Sequence, residues 1–82
     1  MTSNADVSAL VTYVVTSVVE NPDDVRIDSH DDNGVTIYEV TVHPDDIGKV
    51  IGRQGRVIKA LRVLARAAAS INGADATVEV IG

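Results

Sequence analysis

Four basic side chains and two glycines fall within the eleven residues from Lys49 to Lys59: Lys49, Gly52, Arg53, Gly55, Arg56 and Lys59. From Val50 the chain reads VIGRQGRVIK, so a GxxG turn sits between two apolar pairs, Val50-Ile51 and Val57-Ile58. A turn without Cβ atoms lets a ligand approach its backbone amides, and the cationic flanks select for an anion. A helix starting at the turn adds unpaired N–H groups and a favourable dipole for phosphate oxygens. Arg53 and Gln54, at the two middle positions, offer a charge contact and hydrogen bonds. Ile47, Val50, Ile51 and Ile58 are spaced to line a shallow groove beside it.

The motif alone is weakly specific, since most GxxG strings are ordinary turns between helices. It lacks the Gly-Lys-Ser/Thr ending of a mononucleotide loop, and it does not follow a strand as a dinucleotide fingerprint does. A DNA-reading helix-turn-helix also uses glycine in its turn, although the first helix here is short for that motif. Other chemistries find little support. There is no cysteine, and His30 and His43 have no second ligand at metal spacing. Asp45 and Asp46 are explained by the positive start of a helix. With no nucleophile–base pair, metal cluster or nucleotide motif, the expectation is a non-enzymatic protein without a cofactor.

Charge partition bears on the ligand. The net charge is −5, which at first opposes nucleic acid. Residues 1–46, however, hold ten acids against Arg26 alone, whereas residues 47–82 hold six bases against Asp75 and Glu79. All six bases lie between Lys49 and Arg66. With a screening length of about 8 Å in physiological salt, a ligand feels the local patch more than the distant acids. A solvated helix face would give the same pattern, so on charge alone the two readings stand level.

The elements that position these residues follow from pattern. Asp6 to Glu20 fits a helix, with Val7, Leu10, Val11, Val14 and Val18 at helical spacing, Ser3 or Asn4 as its cap and Asn21-Pro22 as its stop. Its β-branched content also suits a strand, but about fifteen residues without a turn signal is too long for one. Val25–Ser29 and Val35–Val42 read as strands joined by a turn from His30 to Gly34 that ends in Asn-Gly. Pro44-Asp45-Asp46 opens a short helix running to about Ile51. A second helix runs from Gly55 to about Ile71, closed by Asn72-Gly73. On it, Val57, Ile58, Leu61, Leu64, Ala65, Ala68 and Ile71 share an arc of about 140°, the expected core face. Arg56, Lys59, Arg62 and Arg66 share a separate arc of about 120°. Ala76–Ile81 alternates as a last strand. The result is one small α+β domain over residues 1–82, in the order α-β-β-α-α-β, with helices on one face of a three-stranded sheet.

At this point VIGRQGRVIK resembles the KH-domain signature V-I-G-x-x-G-x-x-I-K at every fixed position. The element order resembles the type II, prokaryotic KH arrangement and covers almost the whole chain. NPDDVRI, the acidic stretch before IGKVIGRQGR and the length are similar to the small bacterial KhpA family of RNA-binding proteins. The resemblance implies that Gly52 and Gly55 clamp the backbone of about four nucleotides of single-stranded RNA. Arg53 and Gln54 become the variable positions of the clamp, Ile51 and Ile58 support the groove, and Lys59 takes the terminal basic position. Lys49 and Arg56 complete the basic surround. The resemblance further implies pairing with a second copy or with a larger Jag-type KH protein (KhpB or EloR). It also implies a role as a global RNA chaperone or post-transcriptional regulator linked to cell elongation and division.

Several residues have plainer readings. Arg66 lies roughly 16 Å along the helix from Gly55, so it suits a solvated or partner-facing position better than a clamp, and Arg62 extends the same stripe. With only Tyr13 and Tyr38 as aromatics, the base-stacking platforms of other RNA-binding folds are excluded. Tyr13 is expected in helix packing and Tyr38 on one face of the second strand. Ala60, Val63 and Ala67 form a small apolar strip, a candidate dimer seam for a chain with so small a core. No apolar run approaches the roughly 18 residues of a membrane span, and MTSNAD lacks the features of a signal peptide, so the cytoplasm is the expected compartment. Two rival functions stay open: a protein-interaction module with incidental RNA contact, and binding to DNA. Replacing both Gly52 and Gly55 by Asp is expected to abolish RNA binding and leave the fold intact.

Overall fold

The computed structural model describes residues 4–81, with side chains from Asp6 onward. Six main elements follow in the expected order: α1 (Asn4–Val18), β1 (Arg26–Asp32), β2 (Val35–Thr41), α2 (Ile47–Ile51), α3 (Arg56–Ser70) and β3 (Asp75–Ile81). The sheet order is β1-β2-β3, with β1 antiparallel and β3 parallel to β2. The α3 helix supplies the crossover that the parallel pair requires. It packs against β3, while α1 packs against α3 and β1.

The α1 segment is helical despite its β-branched residues. Thr12, Thr16 and Ser17 turn their hydroxyls back to the carbonyls of Ser8, Thr12 and Tyr13, which satisfies them within the helix. Val7, Val11 and Val15 form its buried stripe. Tyr13, expected in packing, is 72% exposed, and Val18 also lies outside the core. Ser3 lies outside the described residues, and Asn4 is already helical rather than a cap. The helix stops at Val18, two residues early, because the amides of Glu20 and Asn21 are captured by Asp46.

The β1–β2 connection is tighter than expected. His30, Asp31 and Asp32 belong to β1, and the turn is Asn33-Gly34 alone. Both residues have positive φ, 53° and 86°, the twist that suits a two-residue hairpin loop. Register places Tyr38 opposite Val78, and Val40 opposite Val80, on the core face.

The core face of α3 is narrower than periodicity suggests. Ile58, Leu61, Ala65 and Ala69 are buried, whereas Leu64 and Ile71 are exposed by 41% and 69%. Ala65 and Ala69 on α3 and Ala76 on β3 are the small residues of this buried stripe. Beyond α3, Gly73 at φ 72° closes the helix with bonds from its own amide to Ser70 and from Ala74 to Ala69, a Schellman ending.

Candidate nucleic-acid interface

The glycine turn is held from below by two packed elements. The chain leaves β2 through Val42 and enters a tight turn, Pro44–Asp46, whose start is capped by His43 Nδ1 accepting from the Asp45 amide at 3.0 Å. Asp46 then turns inward. It is fully buried, and its carboxylate accepts from the Glu20 amide at 3.1 Å, the Asn21 amide at 3.0 Å and Asn21 Nδ2 at 3.1 Å. Lys49 Nζ lies 3.6 Å from Asp46 and 3.5 Å from Glu20. The sequence reading gives Asp46 to the start of α2. Its side chain makes no cap there and instead ties the end of α1 to α2. Burial pushes the Asp46 carboxyl upward. The bonds from Glu20 and Asn21, with the Lys49 charge, outweigh burial and hold it below its ordinary value of 3.8.

A single short helix, α2, leads into the turn with Val50 as a fully buried anchor. Gly52 ends it at φ 79°, ψ 170°, Gln54 sits at φ 57° and Gly55 at φ 73°. The turn closes on itself: the Gly52 amide donates to Gly48 at 2.8 Å, Gly55 to Gly52 at 3.1 Å, and Arg56 to Arg53. Three amides are thereby used internally, a correction to the expected run of outward N–H groups. The Arg53 and Gln54 amides are the ones these closing bonds leave over, just before the fifteen-residue α3.

The two glycines serve different ends. A Cβ on Gly52 would lie 2.5 Å from Val57 Cγ2 and 2.8 Å from the Val57 backbone nitrogen. Gly52 is therefore required by the protein's own packing against the start of α3. A Cβ on Gly55 would meet Lys59 Cε at 3.8 Å and Ile58 Cγ2 at 3.9 Å, which is ordinary contact. The expectation that substituting both glycines spares the fold is thus corrected at Gly52; at Gly55, with φ at 73°, a side chain meets backbone strain but no close contact.

Around the turn, Lys49, Arg53, Gln54, Arg56 and Lys59 are exposed, and Arg56 Nη2 donates to Gln54 Oε1 at 3.4 Å. The apolar residues divide. Ile51 is 38% exposed beside the turn, whereas Val50 and Ile58 belong to the core. Ile58 therefore supports Gly55 from beneath, as part of the buried core cluster, rather than lining a groove. Further along α3, Arg62 Nε donates to the Val78 carbonyl on β3 at 3.0 Å, and Arg66 Nε lies 3.8 Å from Asp75 Oδ1. These contacts place the basic stripe along the seam between α3 and the edge strand. Ala60, Val63 and Ala67 are exposed beside it.

The roles of Asp46, His43 and Arg62 escape sequence reasoning. A carboxylate two residues after proline looks the same whether it caps its own helix or bonds one 26 positions away. Among the described residues no group of three His, Cys, Asp or Glu is placed to hold a metal ion. No helix among them is long and apolar enough to cross a membrane.

The model of the KhpA/KhpB KH domain matches residues 8–80. The chain belongs to the KhpA/KhpB family of KH domains. It is 52% identical over 61 residues to the RNA-binding protein KhpA of Halalkalibacterium halodurans, covering 74% of this chain and 80% of that one. It is 49% identical over 71 residues to the RNA-binding protein KhpA of Mycobacterium leprae, covering 87% and 85%. In architecture it resembles Aquifex aeolicus Era, solved bound to GDP.AlF4-, with a TM-score of 0.63 and 16% identity over 90% of this chain and 29% of that one. That last likeness concerns fold alone. Within the KhpA/KhpB fold, the turn at Gly52–Gly55 is the GxxG position, and the α3–β3 seam runs away from it.

Proposed function

We propose that this chain is a non-enzymatic, cytoplasmic RNA-binding protein that clamps short single-stranded RNA at the Gly52–Gly55 turn. The observation that carries the reading is the turn's geometry: its closing bonds leave the Arg53 and Gln54 amides over, with Arg53, Arg56 and Lys59 exposed in and just after the turn, while Lys49 is paired with Glu20 and Asp46. An anionic backbone suits that arrangement, because oriented amides and cationic side chains reinforce one another. Gly55 lets the strand lie close, Ile51 offers an apolar contact, and Ile58 and Gly52 hold the turn in shape. The RNA-binding proteins to which the chain is similar support the same reading. Gly55→Asp puts a carboxylate where phosphate is to sit without disturbing Val57. Affinity for unstructured RNA, measured by fluorescence anisotropy, is expected to fall at least tenfold while the circular dichroism spectrum is kept. Unchanged affinity overturns the clamp.

A second reading, compatible with the first, is supported by the outer face of α3. Val63 is 64% exposed, and Leu64 and Ile71 lie exposed near Ala60 and Ala67. This face suits a helix-to-helix seam with a second copy or with a larger Jag-type KH partner. Light scattering tests it: a dimeric wild type and a monomeric Val63→Asp support the seam, and a variant as dimeric as the wild type excludes it.

A further inference from the structure

Asparagine followed by glycine occurs twice, at Asn33-Gly34 and at Asn72-Gly73. In such a pair the glycine nitrogen can attack the carbonyl carbon of the asparagine side chain, because glycine has no Cβ to hinder the approach. The attack needs a nitrogen that is free to give up its proton. Asn33 and Gly34 are the two residues of the β1–β2 loop, both exposed and both at positive φ. Among the described residues, neither the Gly34 amide nor the Asn33 side chain makes a hydrogen bond. The second pair is built differently. The Gly73 amide donates to Ser70 at 2.9 Å, the Asn72 amide to Ala69 at 3.0 Å, and the Ala74 amide to Ala69 at 3.1 Å. Its nucleophile is thus held inside the ending of α3. Space and charge do not separate the two pairs. An added Cβ on either glycine would meet nothing within 4 Å, and acids lie close in sequence to both, Asp31 and Asp32 to one and Asp75 to the other. Asn21, by contrast, precedes a proline, which has no N–H, and its side chain donates to Asp46.

We propose that Asn33 is a site of spontaneous deamidation, a covalent modification that the folded chain directs to the hairpin tip and withholds from Asn72. The Gly34 nitrogen loses its proton to solvent base and bonds to Asn33 Cγ. The Cγ–Nδ2 bond breaks, and Nδ2 leaves as ammonia with a proton returned to it. The product is a succinimide ring, and water then adds to one of its two carbonyls. Breaking the ring bond at Cγ gives aspartate in place of Asn33. Breaking it at the main-chain carbonyl gives isoaspartate, in which the chain runs through the side chain. The net change is one water taken up and one ammonia released, with no oxidant or reductant. Either product adds a carboxylate beside Asp31 and Asp32. Isoaspartate also puts one more atom into the main chain of a two-residue loop, which loosens the adjoining Asp32–Val35 pair because loop length sets the hairpin register.

The test follows the intact wild-type chain in mildly alkaline buffer. Samples are digested, and fragmentation mass spectrometry separates asparagine, aspartate and isoaspartate at each site. Conversion at Asn33 is expected to outpace conversion at Asn72 by about fivefold or more, the factor for opening a single hydrogen bond. In concentrated urea, where the ending of α3 is lost, the two pairs are expected to convert at matching rates. Conversion in the folded chain that is equal at the two sites, faster at Asn72, or absent at Asn33 overturns the proposal. So does the same ratio in urea, which would trace the contrast to neighbouring sequence and not to the fold.

Discussion

Substituting Gly52 and Gly55 one at a time should give unequal losses of stability, although the two glycines look equivalent in the motif. Gly52 sits at φ 79°, ψ 170°, a region essentially reserved for glycine that costs another residue about 1–3 kcal/mol. Its added Cβ would also stand 2.5 Å from Val57 Cγ2 and 2.8 Å from the Val57 nitrogen, an overlap worth about 1–3 kcal/mol more. Gly52→Ala is therefore expected to cost about 2–6 kcal/mol in total. Gly55 occupies the left-handed helical region at φ 73°, ψ 20°, where an added Cβ would make only ordinary contacts, so Gly55→Ala should cost only about 1–2 kcal/mol. A chain this size has about 4–12 kcal/mol of stability in all, so the first variant loses a large share of it. Urea unfolding followed by circular dichroism reads the difference directly. With a slope of about 1.5 kcal/mol/M, the Gly52→Ala midpoint should lie about 1.5 M below that of Gly55→Ala. Coincident midpoints would show that the start of α3 yields freely, and would refute the claim that Gly52 is fixed by Val57. The asymmetry has a practical consequence: loss of RNA binding in a Gly52 variant reports folding as well as contact, whereas Gly55→Asp reports contact.

Two further outcomes follow from the same geometry. The Asp46 carboxyl is held below its ordinary value of 3.8, so the unfolded chain binds its proton more readily than the native one. Its contribution to stability is complete above that value and is lost as pH falls through the lower native one. Asp46→Asn should unfold more readily than wild type at neutral pH, with the gap closing in acid denaturation series; a gap that widens toward low pH contradicts the assignment. If about three phosphates are neutralised at the turn, the log–log dependence of RNA affinity on salt should have a slope near −2, and a flat dependence contradicts the ionic part of the clamp.

Local chemistry made much of this fold legible. Asn33-Gly34 specified the hairpin, Gly73 specified the end of α3, and alternation specified β3. VIGRQGRVIK marked the turn between α2 and α3, and the KH resemblance of that string agrees with the family to which the chain belongs. Helical periodicity was less informative, because it tells which residues share a face but not how wide a neighbour covers it. Leu64, Ile71 and Tyr13 are exposed for that reason, while Ala69 is buried. Asp46 was misread because its partners, Glu20 and Asn21, are distant in sequence. The bond from Arg62 to Val78 is not legible in the basic stripe that Arg62 extends, because nothing in its neighbours reveals that β3 returns alongside α3.

The central claim is that the amides left over in the Gly52–Gly55 turn take the RNA backbone, and amide chemical shifts observe those groups themselves. Titrating the ¹⁵N-labelled chain with unstructured single-stranded RNA should move the Arg53 and Gln54 amides most, with Gly55 and Arg56 next, and Gly55→Asp should suppress these shifts. Shifts gathered instead on the outer sheet residues Asp28, Glu39 and Glu79, or along Val63 to Ile71, with the turn unmoved, would contradict it.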